Sequence, residues 1–271
     1  AAWIGGFVNP ALLAGLGLAA VPVIIHLLNR QRHRPMPWAA MRFVLAAYKS
    51  SAEVGVYSAT VRTGQSLLLF LTSLSLVFSP FVADLHHRGE RDRLDALYKQ
   101  VTRWTLAATI PVLLVLAILP GPVLRIFGAD FVQGEDALRI LIVGMIVPVM
   151  VGTVGFILIM AGRTGWDLLV YMSAFALDVG IALLLAGPNA LGIEGAAIAQ
   201  ACTLTFSAVV RLLLVRRFLD IWPFDGGFVR LLPATLAGGI AMALTHAILP
   251  TEKWFMDLVA SFMVGSLVYV V

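Results

Sequence analysis

Apolar residues in this chain fall in long, nearly unbroken runs separated by short polar stretches. The runs show neither the two-residue alternation of a half-buried strand nor the narrow stripe of a soluble amphipathic helix. A helix needs about 20 apolar residues to cross a hydrocarbon core of about 30 Å. Eight runs reach or approach that length: Pro10–Leu28, Gln65–Ala83, Thr105–Leu119, Ala137–Ala161, Trp166–Ala186, Gly195–Val215, Leu231–Leu249 and Trp254–Val271. The third is short as delimited, and Val101–Trp104 extend it. The pattern predicts an all-α, polytopic membrane helix bundle of about eight transmembrane helices. Pro22, Pro111 and Pro148 lie inside spans, where each removes a backbone donor and predicts a kink. Gly195 with Ala199, and Gly144 with Pro148 and Gly152, have the spacing that lets helices approach closely in lipid.

Composition agrees with the pattern. Hydrophobic residues make up 60% of the 271 and charged residues only 13%, about half the usual share of a soluble domain. Mean hydropathy is +0.94. The single cysteine, Cys202, lies in an apolar run and excludes an intrachain disulfide or a cysteine metal site. A net charge of +4 does not imply nucleic acid, because no basic, aromatic-studded soluble stretch exists to carry it. The chain begins Ala1-Ala2-Trp3, so processing or a fragment is expected. The first run lacks the basic flank and small-residue cleavage site of a removable signal peptide. The last run ends without a polar flank, and a cut is expected there.

Charge placement predicts topology. The connections after spans two, four and six carry ten Lys and Arg, counting Arg211 at a span end, whereas those after spans three, five and seven carry three, counting Arg139. The positive-inside rule places the first set in the cytoplasm. Arg30–Ser51 breaks this order: it is strongly basic, yet the alternation puts it outside. Two basic connections thus flank one span, a conflict that points to different histories for the first fifty residues and the remainder. The expected organisation is an anchor with a basic loop over 1–50, a helical unit over 51–219, and two further helices over 220–271. Gly187–Leu191 and Pro250–Lys253 read as short turns.

Both parts resemble known families. From Ala52 onward the chain resembles the C-terminal half of a polysaccharide or oligosaccharide flippase of the multidrug/oligosaccharidyl-lipid/polysaccharide (MOP) exporter superfamily. The residues that carry this are Glu53-Val54-Gly55-Val56-Tyr57-Ser58-Ala59, Leu158-Ile159-Met160-Ala161-Gly162-Arg163-Thr164, and Gly187-Pro188 leading into Gly192-Ile193-Glu194-Gly195-Ala196-Ala197-Ile198-Ala199. Residues 7–50 are instead similar to the N-terminal membrane anchor of BatA-type aerotolerance proteins. That likeness rests on Phe7-Val8-Asn9-Pro10, Val21-Pro22-Val23-Ile24-Ile25-His26-Leu27-Leu28-Asn29-Arg30 and Pro37-Trp38-Ala39-Ala40-Met41-Arg42-Phe43. No Asp-x-Ser-x-Ser pattern occurs, so the metal-adhesion function of that family is not implied. A junction between the two parts is expected near Ser50–Glu53.

The sequence displays no catalytic constellation, metal-ligand spacing or cofactor motif, so no enzyme, metal or cofactor is expected. His86-His87 lies in a mixed-charge helix continuation and reads as a solvated face rather than a metal site. Asp178 lies about two-thirds through the fifth span. There a carboxylate either lines a cavity, binding a proton, a sodium ion or a polar headgroup, or locks two helices by a hydrogen bond. The resembled family has Asn there more often, which favours the structural role. Gln200, near Thr203 and Thr205, either lines a polar path or bonds between helices. A pyrophosphate-linked sugar in a low-dielectric cavity needs compensating cations, for which Arg62, beside Gln65, and Arg163 are candidates. The competing role for both arginines is snorkelling to headgroups. His26 and His246 read as interfacial, and Trp104, Trp166, Trp222 and Trp254 as an aromatic belt.

The flippase resemblance implies alternating access, in which two six-helix lobes rock about a polar cavity while a polyprenyl tail stays in lipid. The implied partners are a polyprenyl-linked sugar substrate, membrane lipids, and a second lobe or homodimer. The implied location is a bacterial inner membrane. One lobe cannot enclose the cavity, so the chain alone is expected to be inactive. A drug/cation antiporter of the same superfamily, a BatA-type anchor or scaffold, and a membrane glycosyltransferase or ligase are the alternative classes.

Overall fold

The computed structural model describes residues 50–185, 191–226, 228, 231–248 and 254–270. The run Pro10–Leu28, the loop Arg30–Lys49, Pro22, His26 and the two expected turns near 187–190 and 250–253 lie outside the described residues.

The described residues are all-helical, with no strand among them. Ten α-helices follow in order: α1 Ser51–Gln65, α2 Leu67–His87, α3 Arg91–Ile118, α4 Pro120–Arg125, α5 Glu135–Val151, α6 Val154–Met160, α7 Thr164–Leu185, α8 Ile193–Leu219, α9 Leu231–Ile248 and α10 Trp254–Val270. A 3₁₀ turn, Ala129–Gly134, precedes α5. Five helices are long and apolar enough to cross a membrane: α2, α3, α7, α8 and α9. The stretch Ala129–Val151 with Val154–Met160 makes a sixth if its two arms, bent by 46°, form one span. The last helix is apolar but shorter. Eight spans are therefore not what the described residues display; five or six are.

Unlike a soluble protein, the bundle is apolar on its outside as well as in most of its core. Its exterior is apolar, as on α9, where Leu232, Leu236, Ile240, Leu244 and Ile248 form one exposed stripe at four-residue spacing. Its interior holds polar side chains, including Thr60, Thr63, Ser75, Thr102, Thr105, Thr109, Asp167, Asp178 and Gln200. Apolar patches of this extent have no place in water, and lipid is the solvent that matches them. The chain is a multi-pass membrane protein. Inside, Thr105 and Thr109 each return a hydrogen bond to the carbonyl one turn back, which satisfies the hydroxyl without a partner helix.

Local sequence explains several boundaries. Ser50 and Glu53 form a capping box that starts α1: the Ser50 hydroxyl accepts from the Glu53 amide, and the Glu53 carboxylate accepts from the Ser50 amide. The polar stretch from Asp84 to Arg103, read from sequence as a connection, is helix apart from a turn at 88–90, where Gly89 has φ +71°. Mixed charges four residues apart support that helix, as with Arg88 on Asp84 at 3.0 Å and Lys99 on Asp95. Pro148 does not itself end α5. The break comes at Gly152, with φ +65°.

Helix packing gathers the charged connections. Val82, Leu94, Leu158, Val215, Leu219 and Ile221 share one core, which brings together the turns at 88–90 and 161–163 and the segment 220–228. That segment is pinned on α3 by the Asp95 carboxylate, which accepts from the Trp222 amide at 3.1 Å. Arg216 stacks over the Trp222 ring. The opposite end, around Leu116, Leu119, Leu124 and Leu138, carries few cations. Close helix approach follows the small residues. A Cβ on Gly144 would lie 2.4 Å from Ala201, and one on Gly195 would lie 2.0 Å from the Leu185 carbonyl oxygen.

Candidate functional site

Asp178, on the inner face of α7, is 2% exposed. Its Oδ1 accepts from the Thr203 hydroxyl of α8 at 3.4 Å. One turn earlier on α8, the Gln200 Oε1 accepts from the Tyr57 hydroxyl of α1 at 2.9 Å. Three helices are thereby joined through polar side chains. The arrangement comes from the period of α8, which puts residues 200 and 203 on one face. Gln200 Nε2 is buried without a hydrogen-bond partner among the described residues. Thr205 turns to another helix, donating to the Gly144 carbonyl of α5 at 3.2 Å.

The structure brings together two of the five residues singled out from sequence, Asp178 and Gln200, and leaves the others apart. Arg62 is exposed on α1 and Gln65 is half-buried at its end. Arg163 is exposed in the turn before α7, its guanidinium 4.6 Å from the centre of the Phe218 ring.

A second polar site escaped the sequence reading. Asp167 of α7 and Arg211 of α8 form an ion pair, Nε to Oδ1 2.6 Å, with side chains only 7% and 11% exposed. The Arg211 guanidinium also lies over the Tyr171 ring at 4.3 Å. Its Nη2 is buried and has no hydrogen-bond partner among the described residues. The sequence holds only a weak signal for this pair: each is a single charge among apolar neighbours, Trp166-Asp167-Leu168 and Val210-Arg211-Leu212, toward the end of its run. Counting Arg211 with a loop hid it.

The pair lines a cavity of about 270 Å³. Its walls come from α2 (Thr72, Ser75), from the break between α5 and α6 (Gly152, Thr153), from α7 and from α8 (Ser207). The break is shaped from the other side by α3. The Tyr98 hydroxyl donates to the Val151 carbonyl at 2.7 Å, and a Cβ on Gly152 would lie 2.6 Å from Thr102 Oγ1. Only glycine fits here, for both its backbone angle and its space.

A third polar group joins α9 and α10. Asp257, 2% exposed, faces His246 Nδ1 at 2.7 Å and accepts from the Ser261 hydroxyl at 3.1 Å. His246 is therefore tied to a buried carboxylate rather than only placed at an interface. Among the described residues no group of three His, Cys, Asp or Glu side chains could hold a metal ion.

Comparison with known proteins bears on the N-terminal part. A sequence model of the BatA family, described as aerotolerance regulator N-terminal, matches residues 5–83. The match passes the junction expected near Ser50–Glu53 and runs through α1 and most of α2. No curated protein matches the chain. Up to Ala83 the protein is thus similar to the BatA aerotolerance-regulator N-terminal region, and from Asp84 on it lies outside that likeness.

Proposed function

We propose that this protein moves a lipid-linked sugar precursor across a membrane, as one lobe of a flippase of the kind that its residues from Ala52 onward resemble. The observation that supports the reading is the interrupted span Ala129–Met160, whose break opens on a largely apolar cavity that holds the buried pair Asp167–Arg211. Irregular backbone and ionisable side chains are costly in lipid and are characteristic of transport paths rather than of anchors. In this reading the lobe supplies one wall of the path. A second lobe, from another chain or a second copy, supplies the other. The arginine-rich end faces the cytoplasm of a bacterial inner membrane by the positive-inside rule. No covalent chemistry is assigned to the chain.

Proteoliposomes carrying several copies per vesicle test this. The flippase reading expects faster headgroup translocation of a fluorescent polyprenyl-diphosphate sugar than in protein-free vesicles, with Asp178→Asn leaving the rate unchanged. Uptake of a cationic dye, abolished by Asp178→Asn, would instead identify an antiporter. A second reading, a BatA-type membrane anchor, is favoured by the match over residues 5–83. Neither activity in the vesicles, with or without a second lobe added, would leave the anchor standing.

A further inference from the structure

The cavity beside Arg211 combines three features whose joint chemistry is specific. Arginine presents a planar fork of donors that suits a two-oxygen anion. In Arg211, Asp167 engages Nε, while Nη2 is desolvated and has no acceptor among the described residues. Nη2 itself is enclosed, but the Arg211 side chain lines the cavity and stays 11% exposed, so an oxyanion there meets the guanidinium at its open part and brings charge to a group short of acceptors.

The remaining polar lining asks for the opposite partner. The Ser75 and Ser207 hydroxyls already donate to the carbonyls of Leu71 and Leu204 in their own helices, so they offer lone pairs. Asp167 is itself an acceptor. A ligand filling the site therefore carries an oxyanion for Arg211 and hydroxyl hydrogens for the serines. The volume, about 270 Å³, lies just below the usual range for drug-sized pockets and suits a small headgroup. Exposed Thr72 and Tyr171 border the cavity, next to the exposed apolar side chains Leu76, Leu168 and Met172. Access from the lipid side follows.

We propose that this cavity binds a hydroxylated phosphate group of the glycerol-phosphate type, its oxyanion on Arg211 and its hydroxyls on Ser75 and Ser207. Asp167 is the residue that positions the guanidinium. The group belongs to a lipid headgroup or to a free glycerol phosphate, and the site does not depend on transport of a sugar.

The experiment uses the purified full chain in neutral detergent, with thermal unfolding and native mass spectrometry as readouts. The probes are dihexanoyl phosphatidylglycerol, dihexanoyl phosphatidylcholine, which lacks the hydroxyls, and glycerol 1-phosphate. Phosphatidylglycerol is expected to raise the unfolding midpoint and to bind about tenfold tighter than phosphatidylcholine, since the loss of paired hydrogen bonds commonly costs a factor of that order. Arg211→Lys keeps a cation opposite Asp167 but loses the fork, and is expected to weaken phosphatidylglycerol binding about tenfold. Thr72→Trp obstructs the mouth from an exposed position without touching the ion pair; it is expected to abolish binding with the ligand-free midpoint unchanged, and it decides the matter if Arg211→Lys does not fold. Glycerol 1-phosphate binding as tightly as the lipid supports the same chemistry with a soluble source. Equal binding of the two lipids, or phosphatidylglycerol binding unchanged in Thr72→Trp, overturns the proposal.

Discussion

Two aspartates on the inner face of α7, about three turns apart, are buried in different ways. Asp167 meets the Arg211 guanidinium at 2.6 Å, while Asp178 meets only the Thr203 hydroxyl at 3.4 Å. Both are nearly hidden from the surface. In lipid the first arrangement holds two full charges that depend on each other, and the second needs no full charge at all. An apolar span therefore tolerates an acid by either of two routes, full compensation or a neutral hydrogen-bonded contact. Only the first creates a site at which a ligand's charge matters.

The sharpest way to break that contrast is to remove one member of the pair. Arg211→Met leaves Asp167 buried and uncompensated, and is expected to cost about 3–5 kcal/mol in a chemical-unfolding measurement in detergent. Pairing that change with Asp167→Leu is expected to recover most of the loss, because well-packed apolar residues commonly replace a buried ion pair at little cost. A single-variant loss below about 1 kcal/mol would show that the pair is hydrated.

Gly152→Ala tests the wall of the ion-pair cavity. The added Cβ meets Thr102 and the backbone sits at φ +65°, so about 2 kcal/mol is expected, read as a lowered unfolding midpoint. Tyr57→Phe tests the other site. It removes one interhelical hydrogen bond to Gln200, for which about 0.6–1 kcal/mol is expected by the same measurement. The smallest effect belongs to Asp178→Asn, within about 0.5 kcal/mol, because an amide oxygen still accepts from Thr203. A loss there as large as that of Arg211→Met would erase the distinction between the two acids.

Sequence made the apolar runs legible because crossing lipid demands length and composition that few other structures share. It left the start of α3 undrawn: the mixed-charge stretch reads both as a connection and as a helix continuation, and the four-residue ion pairs favour the helix. It found Asp178 and Gln200 because a polar residue deep in a span is conspicuous. It passed over Asp167 and Arg211 because each lies toward the end of its run, where charge is ordinary, and nothing local announces a partner 44 residues away. Arg62 and Arg163 drew attention for the reverse reason. A charged substrate in a low-dielectric path calls for cations, and these two arginines lie near span ends, yet both stand exposed. Proline alone marks a kink at Pro148, which the helix accommodates, whereas the bend falls at Gly152, where no proline stands.

The hydroxyl of Tyr98 holds the Val151 carbonyl at the point where the span changes direction. That tether, worth roughly 1 kcal/mol, adds to a bend already held by Thr102 beside Gly152 and by Val151, Val154 and Leu158 in the core. Millimolar affinity already corresponds to about 4 kcal/mol. A molecule that preferred another angle would spend part of that energy against this packing, and Met150, exposed just before the bend, is the natural place to attach a reporter of whether this part of the chain bends when something enters.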